Sequence, residues 1–252
     1  MGGPVGNVSR FEPMTAAARR GAPRHRSRTQ CPAWTDHWDT ETMAEYTFYT
    51  HPMSRGQIAR WALHEAGAEY EQVLVTLGRP TPALLAANPM GKVPTLVHHA
   101  LDGQRIITEA AAICAYLAEE HPGADLAPHE GERADYFRWM FFAAGPLEQA
   151  VTARSLGFAP TDPRQQGMAG FGSYERAIDA FETLFADARP WVCGERFTMA
   201  DVYVGSHVDW GLNFGSIPPR VAFVAYAERL QQRDAYKAAK AIDNALIGEM
   251  KK

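Results

Sequence analysis

Cysteine is scarce in this chain. Cys31, Cys114 and Cys193 are the only three in 252 residues, far apart and forming neither a CxxC pair nor a metal-ligand spacing. That excludes a disulfide scaffold and fits reduced thiols in a cytoplasmic protein. A basic excess is missing too: 25 Lys and Arg face 29 Asp and Glu, and the pI is near 6.1. No electrostatic footprint for nucleic acid follows. No apolar run approaches the roughly 20 residues that span a bilayer, so no membrane partner is expected. His98, His99 and His207 form no set with carboxylates, so no metal is expected either. What is present is 46% apolar and 11% aromatic content, enough to bury one large core or two smaller ones. The expectation is a globular, intracellular chain.

Residues 1–43 differ from the rest. Six arginines (Arg10, Arg19, Arg20, Arg24, Arg26 and Arg28) stand there against four acidic residues, among Gly and Pro clusters with little apolar periodicity. Such a segment buries too little surface to offset its ordering entropy. It reads as a disordered or non-native extension with a start at Met43. An organelle transit peptide is the competing reading, but the arginines follow no amphipathic helical pattern.

From residue 44 on, the pattern is regular. EYTFYT (45–50) alternates like a strand, and the apolar positions Ile58, Ala59, Trp61, Ala62 and Leu63 suit a helix over 54–66 that stops at Gly67. EYEQVLVTL (69–77) reads as a second strand, which makes a parallel βαβ unit. A short helix follows, capped by Thr81 with Pro82 in its first turn. VPTLVHH (93–99) and QRIIT (104–108) form a hairpin across a Gly-containing turn, and a helix over 109–121 closes the unit. The order describes an α/β thioredoxin-like domain over 44–122. The Pro- and Gly-rich stretch 123–130 is a linker. Helical patterns over 131–156, 170–188, 199–214 and 221–252 make the remainder, 131–252, an all-α helical domain. GP at 145–146 should kink or break the first of these helices.

Three stretches carry a family resemblance. They are NPMGKVPTLV (88–97), ITEAAAICAYL (107–117) and RFTMADVYV (196–204), the last with Thr198 and Asp201 spaced as a capping box. In this order the chain resembles the cytosolic glutathione transferase family, with a bacterial-like, serine-type first helix. The resemblance implies glutathione as co-substrate, a small-molecule electrophile as partner, a homodimer and a role in detoxification. It implies a cis peptide before Pro94, with the backbone of Val93 pairing to the ligand peptide. Glu109 would face the γ-glutamyl amino group, and Lys92 the glycyl carboxylate. Each residue also has a bland reading: a strand-start proline, an acidic residue favoured at a helix N-terminus, an exposed lysine beside a turn. One position departs from the family pattern. Where a hydroxyl residue usually follows the acidic one stands Ala110, whose backbone N–H still favours an anion. The lost side-chain bond to a charged group is worth about 1–3 kcal/mol.

Ser54 carries the sharpest expectation. SRGQ (54–57) matches a capping box, which by itself explains Ser54 and Gln57. The resemblance adds a catalytic role in which the hydroxyl donates to the glutathione thiolate. A free thiol titrates near 8.5, and a downward shift of about two units is ordinary at a helix start beside a donor; that shift is roughly 2.7 kcal/mol. Arg55 is the alternative partner of the sulfur or of the substrate. Tyr136, Trp139 and Met140 are candidates for the wall against the second substrate, and WGLNFG (210–215) adds two rings. Cys114 falls among the apolar positions of its helix and reads as an inert core thiol. Three functions stay open: a glutathione transferase, a glutathione-dependent disulfide reductase or peroxidase, and a non-catalytic binding or regulatory protein.

Overall fold

The computed structural model describes residues 44–251. The expectation for residues 1–43 and the reading of Cys31 lie outside them. Strand β1 (Tyr46–Thr50) runs beside β2 (Tyr70–Leu74) in parallel, with helix α1 (Gly56–Ala66) crossing between them. Strands β3 (Thr95–Ala100) and β4 (Gly103–Thr108) form the antiparallel hairpin, and the sheet order is β2-β1-β3-β4. Helix α2 (Pro82–Ala87) precedes β3, and α3 (Ala110–Glu120) follows β4. This is the thioredoxin-like arrangement the sequence describes.

The local reasons are legible. Burial alternates along β1, so Tyr46, Phe48 and Thr50 point into the core. Gly67 closes α1 in the left-handed region at φ 67°, where glycine has no Cβ penalty. Thr81 caps α2 by accepting the Leu84 N–H at 3.2 Å. β2 is shorter than expected, because Val73 and Leu74 are followed by a Gly78 turn with Thr76 bridged back to Arg79.

The rest of the described chain is helical: α4 (Arg133–Phe142), α5 (Glu148–Ser155), α6 (Pro163–Met168), α7 (Tyr174–Glu182), α8 (Met199–Phe214), α9 (Val221–Leu230) and α10 (Asp234–Met250). The expected break at Pro146 is milder than a break. Ala143–Leu147 forms one π-helical turn that carries the proline and joins α4 to α5 without interruption. The single helix expected over 221–252 is two helices, α9 and α10, parted at residues 231–233, and α6 was not anticipated. The capping box of α8 is formed: the Thr198 N–H donates to Asp201 at 2.8 Å, while the Val192 N–H and the Tyr226 hydroxyl also donate to this fully buried carboxylate, at 2.7 and 2.8 Å. Burial pushes Asp201 up to about 6 despite these donors.

The described residues form one compact unit, in which α1 packs against β1, α3, α8 and α10. At its centre Arg60 has no exposed surface. Its Nε donates to Asp243 of α10 at 3.0 Å, its Nη1 donates to the Tyr70 hydroxyl of β2 at 2.9 Å, and its guanidinium lies 5.4 Å from the Phe48 ring centroid. Breaking a buried pair from one side leaves an uncompensated charge. Asp243→Ala is therefore expected to lower unfolding stability by about 3–5 kcal/mol in urea titrations, whereas Arg60→Met combined with Asp243→Leu recovers most of that loss.

Candidate active site

The loop from β1 to α1 is built around a close approach. A Cβ on Gly56 would lie 2.1 Å from Thr50 Oγ1, so only glycine lets the first turn of α1 sit against the end of β1. Ser54 reaches across this bend. Its Oγ donates to the His51 carbonyl at 2.7 Å and accepts the Gly56 N–H at 3.0 Å. The expected capping box is not formed. The side chain of Gln57 turns away, its amide donating to the Pro52 carbonyl and its Oε1 accepting from Lys240 of α10 at 2.7 Å. The N-cap position falls to Arg55, which makes no side-chain cap; Ser54, one residue earlier, takes the Gly56 N–H in a shorter turn, and its hydroxyl proton is held by a carbonyl at the edge of a cleft.

That cleft has a volume of about 630 Å³, and Ser54, Lys92, Val93 and Trp210 are on its wall. The loop bearing Lys92 and Val93 is braced from beneath by the buried Asn88. The Asn88 amide donates to the Lys92 carbonyl at 3.2 Å and to Thr95 Oγ1 at 3.1 Å, and its Oδ1 accepts the Met90 N–H at 3.1 Å. Thr95 Oγ1 donates to the same Lys92 carbonyl at 2.9 Å. The Val93–Pro94 peptide is cis, and the Val93 N–H and C=O take no backbone partner among the described residues. Lys92 is exposed.

Glu109 and Ala110 face a second, larger cleft of about 790 Å³ at the start of α3. Glu109 sits at φ 65° and ψ 118°, a strained backbone position for a residue with a Cβ. Nothing on its own side chain caps α3. Met140, Phe137, Phe141 and Tyr203 supply the apolar part of this wall, and Glu148 a carboxylate. The two clefts meet at Arg55, which lines both and pairs with Glu148. Behind Glu148, His207 Nε2 lies 3.8 Å from the carboxylate without a hydrogen-bond partner. Burial, then the nearby Arg55, pushes His207 down to about 4, so the ring is neutral near pH 7.

Of the residues expected around the second substrate, only Met140 lines the cleft. Tyr136 and Trp139 are almost fully buried, 1% and 3% exposed. Aromatics recur on both faces of α4, and the stripe at 136, 139, 140 is the one packed inward, while Phe137 and Phe141 look outward. Glu148 was not anticipated; the only local signal for it is its place just after the GP turn. Cys114 is fully buried and burial pushes its thiol up, so it packs as an inert apolar side chain. Burial likewise pushes Cys193 up to about 12. Tyr49 belongs to a small depression with Thr47 and Ala83, apart from Ser54. Among the described residues, no group of three or more His, Cys, Asp or Glu could hold a metal ion, and no helix is long and apolar enough to cross a membrane.

The thioredoxin-like sheet thus brings Val93, which precedes the cis proline, and Ser54, at the start of α1, to one cleft wall. Residues 48–125 match the glutathione S-transferase N-terminal domain, and residues 141–210 match the glutathione S-transferase C-terminal domain. Glutathione S-transferase F13 of Arabidopsis thaliana is 30% identical over 193 residues, covering 69% of this chain and 84% of the relative. Glutathione S-transferase GstA of Escherichia coli O157:H7 is 29% identical over 187 residues, covering 70% of this chain and 90% of the relative. Among solved structures, a sphingomonad glutathione S-transferase complexed with glutathione superposes with a TM-score of 0.62 at 29% identity, covering 79% of this chain and 98% of that one. The chain belongs to the glutathione S-transferase family.

The tightness of the Gly56 contact is directly testable. Gly56→Ala is expected to destabilise the fold by about 1–3 kcal/mol through overpacking, read as a lower denaturant midpoint. An unchanged midpoint would mean that the 51–55 loop yields.

Proposed function

We propose that this glutathione transferase binds reduced glutathione along the groove formed by its two clefts and adds the thiol to a hydrophobic electrophile. The observation that carries the reading is the meeting of Ser54 and the unpartnered Val93 backbone on one cleft wall at the positive end of α1. The Val93 N–H and C=O pair with the cysteinyl unit as a short added strand does, with Pro94 closing the turn behind it. Lys92 faces the glycyl carboxylate, Glu109 the γ-glutamyl ammonium, and the Ala110 N–H the γ-glutamyl carboxylate end. Residues 44–122 form the glutathione-binding domain, 123–130 the linker and 131–252 the helical domain that carries most of the second-substrate wall.

In this reading Ser54 turns its hydroxyl from the His51 carbonyl to the sulfur. The exchange replaces one ordinary hydrogen bond by one to an anion, which is the stronger kind by roughly a factor of two. The thiolate then attacks the electrophilic carbon with a sulfur electron pair. A C–S bond forms, the leaving group departs with the electrons of its own bond, and the thiol proton passes to solvent. Met140, Phe137 and Phe141 seat the apolar part of the electrophile. Ser54 never becomes covalent. Family membership supports a homodimer and a detoxifying role, and the scarcity of cysteine supports a cytoplasmic setting. A disulfide reductase reading gains no enzyme thiol here, since no described cysteine lines either cleft.

Two measurements test this. Calorimetric titration with reduced glutathione should give a dissociation constant in the micromolar to low millimolar range; no heat from the folded protein would remove the leading function. Ser54→Ala should then slow conjugation of an aryl halide at pH 7 by about ten-fold or more, some 1.4 kcal/mol, and raise the apparent thiol pKa. An unchanged pH–rate profile would reduce Ser54 to a cap. Turnover of a mixed glutathione disulfide but not of the aryl halide would favour the reductase.

A further inference from the structure

The larger cleft has an unusual charge balance. Glu109, Glu119 and Glu148 line it, and Arg55 is the sole cation on its wall among the described residues. A ligand bringing a carboxylate to the start of α3 meets a methyl group at Ala110, where a hydroxyl would donate, and has one cation within the same cleft to turn to. We propose that Arg55 is the receptor for the α-carboxylate at the γ-glutamyl end of glutathione, and that Glu148 is the positioning residue that holds its guanidinium there. The proposal rests on the reading that glutathione is the substrate.

The side chains are suited to it. A guanidinium offers five N–H donors in a planar fork and matches a carboxylate with two of them. Glu148 engages Nη2 through one oxygen, which leaves the other N–H groups, one two-donor edge of the fork among them, for a second carboxylate. Arg55 is half exposed while Glu148 is only a quarter exposed, so the acid is the fixed partner and the base the reaching one. The π turn sets Glu148 at the head of α5, on the cleft wall. His207, the buried group behind it, makes no hydrogen bond through Nε2. A neutral ring there does not compete for the carboxylate charge, which is left to Arg55. Both members are therefore held in the cleft before any ligand arrives, which lowers the ordering entropy lost on binding.

The test uses the full chain and calorimetric titration with two ligands: reduced glutathione, and its analogue in which the γ-glutamyl α-carboxylate is replaced by hydrogen (4-aminobutyryl-Cys-Gly). Arg55→Ala should weaken glutathione by about ten-fold or more, the worth of a charge-assisted hydrogen bond, and the analogue by less than about two-fold. Glu148→Gln should weaken glutathione selectively in the same way, and the double variant should be no worse than Arg55→Ala alone, as for two residues acting as one unit. Ala110→Ser should restore part of the glutathione affinity in the Arg55→Ala background and do nothing for the analogue. Equal losses for both ligands, with a shifted thiol pKa, would overturn the proposal by assigning Arg55 to the sulfur. No loss for either ligand would overturn it as well. If the unaltered protein binds no glutathione, the functional reading falls and takes this proposal with it; selective failure of the variants sinks the proposal alone.

Discussion

A guanidinium without any exposed surface lies in the middle of α1, and the position of that helix depends on how its charge is met. Arg60 is neutralised by Asp243 of α10, bonded to Tyr70 of β2 and seated by the ring of Phe48 of β1. One side chain thereby joins the sheet, the first helix and the last. The arrangement is incomplete in a telling way: Arg60 Nη2 and Asp243 Oδ2 find no hydrogen-bond partner, so the pair orients its helices more than it stabilises them. Burial keeps the Asp243 carboxyl above the usual range even with an arginine beside it. The ends of α1 are fixed in consequence, and its N-terminal end is where Ser54 and Arg55 stand.

Around that end the protein spends local strain and buried polar contacts on backbone placement. Asn88 uses three hydrogen bonds to shape the turn before β3. Gly91 occupies φ 61°, and a Cβ there would meet Pro80 at 2.9 Å. Glu109 holds a backbone conformation that glycine would adopt more readily. These features are second in rank to burial as sources of stability. Their common effect is that peptide groups and the Glu109 residue face the clefts with little freedom left to lose on binding.

The sequence was most informative where structure is local. Thr81 with Pro82, Gly67 after α1, and the Thr198–Asp201 box each act within one turn of chain, and each stands where its spacing placed it. The parallel βαβ pair and the hairpin were legible as local patterns, whereas the order β2-β1-β3-β4 comes from the structure. Expectations failed where a distant partner decides. Ser54 and Gln57 have the spacing of a capping box, but Lys240 of α10 takes one end of Gln57 and the Pro52 carbonyl the other. Tyr136 and Trp139 could not be told from Phe137 and Phe141 by periodicity, since α4 bears rings all round and only the neighbours above it choose the buried face. Glu148 meets Arg55 from far along the chain, and no spacing rule relates them.

The π turn at Ala143–Leu147 has a further consequence for the geometry of the cleft. A π turn accommodates one residue more than an α turn, and each residue of a helix advances it by about 100°. Everything beyond Leu147 is thus indexed one step round the axis from where an unbroken helix would place it. The inward aim of Glu148 is a matter of phase: the same residue on the same helix, with the turn drawn tight to ordinary pitch, would point elsewhere. In this protein a surplus residue beside a proline acts as a rotary offset, setting which side chain is dialled toward the cleft.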